Sequence, residues 1–129
     1  MSELSVEINA KDLILHLAGV SGELSQKTLS RLPWKESYRE KCLYQLKQDG
    51  LIRKIERDEL TGFRLTAKGK HYLVSTYPNR FTDLFACDNG VDKIRLEKAS
   101  RLRAMRTSEL LLSLYDFYAD NDIIFYQLL

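Results

Sequence analysis

The sequence predicts a mainly α fold carrying one small β-hairpin. Apolar residues recur at three- and four-residue spacing through most of the chain, the signature of helices with one buried face. One stretch, Leu51 to Leu65, reads as two strands around a turn. Glycine and proline are sparse, six and two, and fall mostly between the periodic segments. At 129 residues, a single compact domain with room for one appendage is expected. We expect that domain to cover 1–78, with a connecting loop over 79–92 and a C-terminal helical extension over 93–129.

Each element has a local cause. Leu13, Ile14, Leu17 and Ala18 define a first helix from Asn9 to Ala18, stopped at Gly19. Ser21-Gly22 turns the chain, and a short helix follows from Ser25 to Leu32 before Pro33, which cannot continue the hydrogen-bond ladder. A third helix spans Lys35 to Asp49. Tyr38, Cys42, Leu43 and Leu46 fall on its inner stripe, with Ser37, Lys41, Tyr44 and Gln48 opposite. Gly50 stands where a helix stop turns left-handed. Leu51 to Arg57 then reads as a strand, Asp58 to Gly62 as a turn and Phe63 to Leu65 as the returning strand. Thr66 opens a fourth helix that reaches Tyr77 and ends before Pro78. Asn79 to Asp92 is mostly loop, with Phe81, Leu84 and Phe85 packing back. Lys93 to Ala119 reads as one long helix, or two with a bend near Thr107. Ile123 to Leu129 looks like a buried strand, expected either to pack in an interface or to lead into further chain.

Composition narrows the function classes. The chain is 44% hydrophobic, and a domain of this size hides about two-thirds of its unfolded surface, so it needs neither disulfides nor metal to fold. Two cysteines fit a reducing cytosol. No apolar run approaches the roughly 20 residues of a membrane span, and the start of the chain lacks the features of a signal peptide. The expected setting is cytoplasmic, with no membrane partner. Net charge is only +2, but it is unevenly spread. Lys35 to Arg57 holds seven basic against four acidic residues, and Lys93 to Arg106 holds six against one. Such clustering is the footprint of a polyanion partner, and equally of a salt-bridged helix surface.

The run Leu46-Lys47-Gln48-Asp49-Gly50-Leu51-Ile52, followed by Phe63-Arg64-Leu65-Thr66-Ala67-Lys68-Gly69-Lys70-His71-Tyr72-Leu73, resembles the pattern L-x-x-x-G-L-I … L-T-x-K-G-x-x-x-L of many winged helix-turn-helix domains. The resemblance covers about Asn9 to Tyr77 and implies a winged-helix domain followed by a long C-terminal helix. Thr66 to Leu73, Tyr77-Pro78-Asn79-Arg80-Phe81 and Arg101-Leu102-Arg103 are similar, more distantly, to the front region of replication-relaxation proteins of plasmids and conjugative elements. Most of that family's further α/β portion has no counterpart here.

The resemblance implies double-stranded DNA as partner, with the third helix in the major groove and the hairpin wing on flanking backbone, serving transcription control or plasmid replication and transfer. The residues expected to bind are Lys35, Ser37, Lys41 and Tyr44 on the helix and Arg53, Lys54, Arg57 and Arg64 on the wing. Arg101 and Arg103 are additional candidates. Glu36 and Glu40 interrupt the helix stripe, and a solvated helix surface is the plain alternative. Arg39 falls on the inner side, its stem laid over the core, and Trp34 staples the helix start. The competing function is a protein-interaction module using the same surfaces.

No catalytic residues are expected. His16 and His71 lie on different helices without a second ligand at metal spacing, and none of the common phosphate-loop, hydrolase-elbow or zinc-protease motifs occurs. His16 reads as a half-buried packing residue, Cys42 as core, and Cys87 as a loop thiol with no base nearby. No cofactor is implied, and the sequence does not decide whether an effector is sensed. Leu110 to Tyr118 is apolar nearly all round, which predicts a homodimer through Leu111, Leu114, Tyr115 and Tyr118.

Overall fold

The computed structural model describes residues 9–86 and 96–120, with residues 115–120 described as backbone only. It is mostly helical, with a small three-stranded antiparallel sheet and a long C-terminal helix. The elements are α1 (Ala10–Ser21), β1 (Leu24–Ser25), α2 (Gln26–Ser30), α3 (Glu36–Gln48), β2 (Ile52–Arg57), β3 (Leu60–Leu65), α4 (Ala67–Thr76), α5 (Pro78–Phe81) and α6 (Lys98–Asp120).

Capping starts these helices where the sequence places them. Asn9 Oδ1 accepts from the Asp12 amide at 2.8 Å, Ser25 Oγ from Thr28 at 3.0 Å, and Thr66 Oγ1 from Gly69 at 3.0 Å. Helix α1 forms the centre of the core, since α3, α4, α6 and the sheet all pack around it. Leu13, Ile14, Leu15, Leu17 and Ala18 are accordingly all buried. A helix apolar around most of its circumference requires cover on every side, and α6 supplies one of them.

The two halves of the sequence motif are tied into one junction. Gly50 adopts φ 73°, the left-handed turn that ends α3. Three groups from the start of α4 then bind the exiting chain: Thr66 N donates to Leu51 O at 3.0 Å, Thr66 Oγ1 to Gly50 O at 2.5 Å, and Lys68 Nζ to Asp49 O at 2.9 Å. The carbonyls left open at the end of α3 thus gain partners from residues distant in sequence.

Four expectations need correction. The hairpin turn holds two residues, Asp58 and Glu59, at φ 56° and 62°, and β3 resumes at Leu60. A two-residue turn with both φ positive matches the twist of paired strands, but neither residue is the glycine or asparagine that would announce it. Gly62 belongs to β3, not to the turn. A strand over Leu24–Ser25, at the expected start of the second helix, pairs with β3 through Leu24↔Phe63 and Ser25↔Gly62; two residues are too few to leave a pattern. Within the expected loop, residues 78–81 form α5 and bury Phe81, although Leu84 is exposed. Helix α1 runs on through Gly19 to Ser21 and stops at Gly22, φ 96°. Helix α6 is unbroken at Thr107, the first of the two forms expected. Cys87, Lys93 and the run Ile123 to Leu129 lie outside the described residues.

Candidate nucleic-acid interface

Helix α3 turns Cys42 and Leu46 into the core and leaves the opposite face in solvent. Lys35, Ser37, Lys41 and Tyr44 are all exposed or partly so, as the sequence pattern requires. Lys35 stands at the N-cap position without a side-chain cap bond. Tyr38 departs from its expected inner position and is 47% exposed; Tyr44 reaches 59%. Glu36 and Glu40 share the solvent side with the lysines. Arg39 is half-buried, and its Nη1 donates to the carbonyls of Leu32 (3.3 Å) and Trp34, fastening the turn between α2 and α3.

On β2, Arg53, Lys54 and Arg57 are exposed. Lys54 Nζ lies 3.4 Å from Glu56 and Arg57 Nε lies 3.8 Å from Asp58. Exposed pairs of this kind contribute little, so both cations remain available to a competing anion. A cleft of about 260 Å³ lies between α2, α3 and the hairpin, lined by Glu36, Glu40, Tyr44 and Lys47 of α3, Lys54 of β2 and Phe63 of β3 together with residues of α2. Lys47 is exposed one turn beyond Tyr44. It belongs with these residues, and its i+3 spacing from Tyr44 was the signal that could have found it.

Two candidates do not reach this surface. Arg64 is 1% exposed and Arg101 is fully buried, both bound to the fully buried carboxylate of Glu23. Neither guanidinium can touch a phosphate while that cluster holds. Their sequence surroundings are as basic as those of Arg53, and only the partner distinguishes them. Arg103 is exposed, with Nη2 donating to Ser100 Oγ at 3.2 Å.

A second polar cluster lies inside, around His16, which is fully buried rather than half-buried. Its Nδ1 lies 2.8 Å from Asp12 O, and its ring meets those of Tyr77 and Phe81 edge-on at 4.6 and 4.9 Å. The Asp12 carboxylate accepts from Tyr72 Oη at 2.8 Å and from Tyr77 Oη. Burial lowers the imidazole pKa from 6.5 to about 4. Burial, followed by the bond to Asp12, raises that of Tyr72. Cys42 is core, as expected.

Along α6, the residues Arg101, Ala104, Met105, Ser108 and Leu112 face inward. Leu111 packs at the core margin, whereas Leu110 and Leu114 are 62% and 37% exposed. Among the described side chains of α6 beyond Thr107, the exposed large apolar ones are Leu110 and Leu114. The side chains of Tyr115 and Tyr118 lie outside the described residues. No helix among the described residues is long and apolar enough to cross a membrane.

The chain has no match among family models, curated proteins or solved structures.

Proposed function

We propose that the chain is a winged-helix protein that binds double-stranded DNA, with α3 in the major groove and the β2–β3 hairpin as a wing on the flanking backbone. The order helix, short strand, helix, helix and hairpin supports the fold, with β1 completing the sheet beside the hairpin. The observation that carries the function is the joint surface at the cleft. Lys47 on α3 and Lys54 on β2 line a common cleft with Tyr44, and Lys35, Lys41 and Arg53 add exposed cations on the same two elements. Lysines on such a surface bind phosphate without regard to sequence, while Ser37 and Tyr44 stand where base edges would be read. The biological setting of this reading is cytoplasmic, in transcription control or in plasmid replication and transfer. The protein acts by binding, not by catalysis.

A homodimer through Leu110 and Leu114 of α6 belongs to the same reading. It covers an exposed apolar pair and presents two α3 helices to paired half-sites.

The test is fluorescence anisotropy with a labelled duplex of mixed sequence across a salt series. Binding should weaken steeply with salt, by about 0.9 in the log–log slope for each phosphate neutralised. Lys41→Glu with Lys54→Glu should remove about two such phosphates and flatten the slope by about 2. A parent protein without salt-sensitive binding to any duplex would transfer these surfaces to a protein partner. The exposed rings of Tyr38 and Tyr44 beside Glu36 and Glu40 favour that second reading.

A further inference from the structure

We propose that Arg101 is a positioning residue for DNA binding: held by Glu23, its guanidinium fixes the β2–β3 hairpin against α6 and so sets the attitude of the wing toward α3. This rests on the DNA-binding reading above.

The cluster joins three separate parts of the chain. Glu23 lies in the loop between α1 and β1, Arg64 on β3 and Arg101 on α6. Arg64 Nε donates to Glu23 Oε1 at 3.0 Å. Arg101 Nε lies 3.2 Å from Oε1 and 3.1 Å from Oε2, and its Nη2 donates to Oε2 at 2.7 Å. One carboxylate thus faces two guanidinium groups. The guanidinium also reaches the hairpin: Nη1 donates to Arg57 O at 2.8 Å, and Nη2, besides Oε2, shares its second hydrogen between Ile55 O at 3.0 Å and Leu60 O at 3.2 Å. Arg57 and Leu60 are the paired residues on either side of the Asp58-Glu59 turn. A single side chain of α6 therefore grips both strands directly beneath the tip.

The strand is shaped to admit this grip. A Cβ at Gly62 would lie 2.0 Å from Glu23 Oε2, so β3 gives up a side chain where the carboxylate rests. Stability alone does not account for the arrangement, because well-packed apolar residues often replace a buried ionic cluster without destabilising the fold. Apolar packing, however, cannot orient a hairpin by directed bonds to named carbonyls. A guanidinium does so with five donors in a rigid plane, whereas lysine offers a single point of charge. Beyond Gly62 the hairpin is two-stranded, because β1 reaches only Phe63 and Gly62, and two strands alone are marginally stable in water. The reach of Arg53 and Lys54 relative to α3 therefore depends on what anchors the hairpin.

The experiment is a double-mutant cycle in the full chain, read by duplex binding over a salt series. Arg101→Lys should weaken binding about tenfold and flatten the log–log salt slope by about one to two, since each phosphate that the wing no longer neutralises accounts for about 0.9. In the Arg101→Lys background, the pair Arg53→Ala and Lys54→Ala should cost little more, while Lys41→Ala should cost as much as in the parent. A lower melting temperature with unchanged slope and an unchanged cost of the wing alanines would show a merely structural role and overturn the proposal, leaving the DNA reading intact. A parent with no salt-sensitive duplex binding would overturn both. Should Arg101→Lys fail to fold, hydrogen exchange on the parent decides the matter. Slow exchange of the Arg57 and Leu60 amides, comparable to β3 near Phe63, supports the grip; exchange at open-loop rates refutes it.

Discussion

Replacing His16 by phenylalanine should flatten the acid side of the stability curve. In the folded chain the imidazole is enclosed by Tyr77 and Phe81, and burial brings its pKa from 6.5 to about 4. The positive charge of Arg80 acts in the same direction, while the Asp12 carbonyl and carboxylate oppose it. The unfolded chain therefore takes up the proton first. The contribution is complete above pH 6.5, declines as pH falls from about 6.5 toward 4, and levels off below. Each pH unit crossed within that window is worth about 1.36 kcal/mol, so the loss between pH 7 and pH 5 comes to about 2 kcal/mol. His16→Phe removes the titration while leaving a ring in the same aromatic surroundings. Its stability at pH 7 changes with removal of the Asp12 bond, so the informative quantity is the change with pH. Urea unfolding at pH 7, 6 and 5, followed by the fluorescence of the sole tryptophan, Trp34, measures it. The parent should lose about 2 kcal/mol more than the variant over this range. Equal losses in the two proteins would refute the reasoning and place the proton elsewhere.

Gly50→Val should destabilise by more than about 1 kcal/mol, because a β-branched residue is poorly tolerated at φ 73°; equal melting temperatures would contradict the junction described between α3, β2 and α4. Leu110→Asp with Leu114→Asp should convert a two-chain species into monomers by light scattering without unfolding the core, since both side chains are exposed. A parent that is monomeric at high concentration would remove the dimer.

Much of this molecule was legible in local sequence. The helices around Leu13–Ala18 and Cys42–Leu46 follow from apolar spacing. The stop of α3 follows from Gly50, and the starts of α2 and α4 follow from Ser25 and Thr66, whose effects act within a few residues. The exposed face of α3 was likewise readable, because Ser37, Lys41, Tyr44 and Gln48 fall opposite a stripe that must be buried. The tertiary structure alone decided which cations face solvent. Arg53 and Arg64 are cross-strand partners in the same hairpin, yet one is exposed and the other lies inside against Glu23. Arg101 and Arg103 sit two residues apart and divide in the same way. Glu23 is 41 residues from Arg64 and 78 from Arg101 in sequence, and no local pattern records a pairing over such distances. A buried guanidinium needs a carboxylate and carbonyls delivered by other elements, and only the folded chain delivers them. The strand at Leu24–Ser25 and the full burial of His16 were hidden for the same reason: each depends on what a distant segment places beside it.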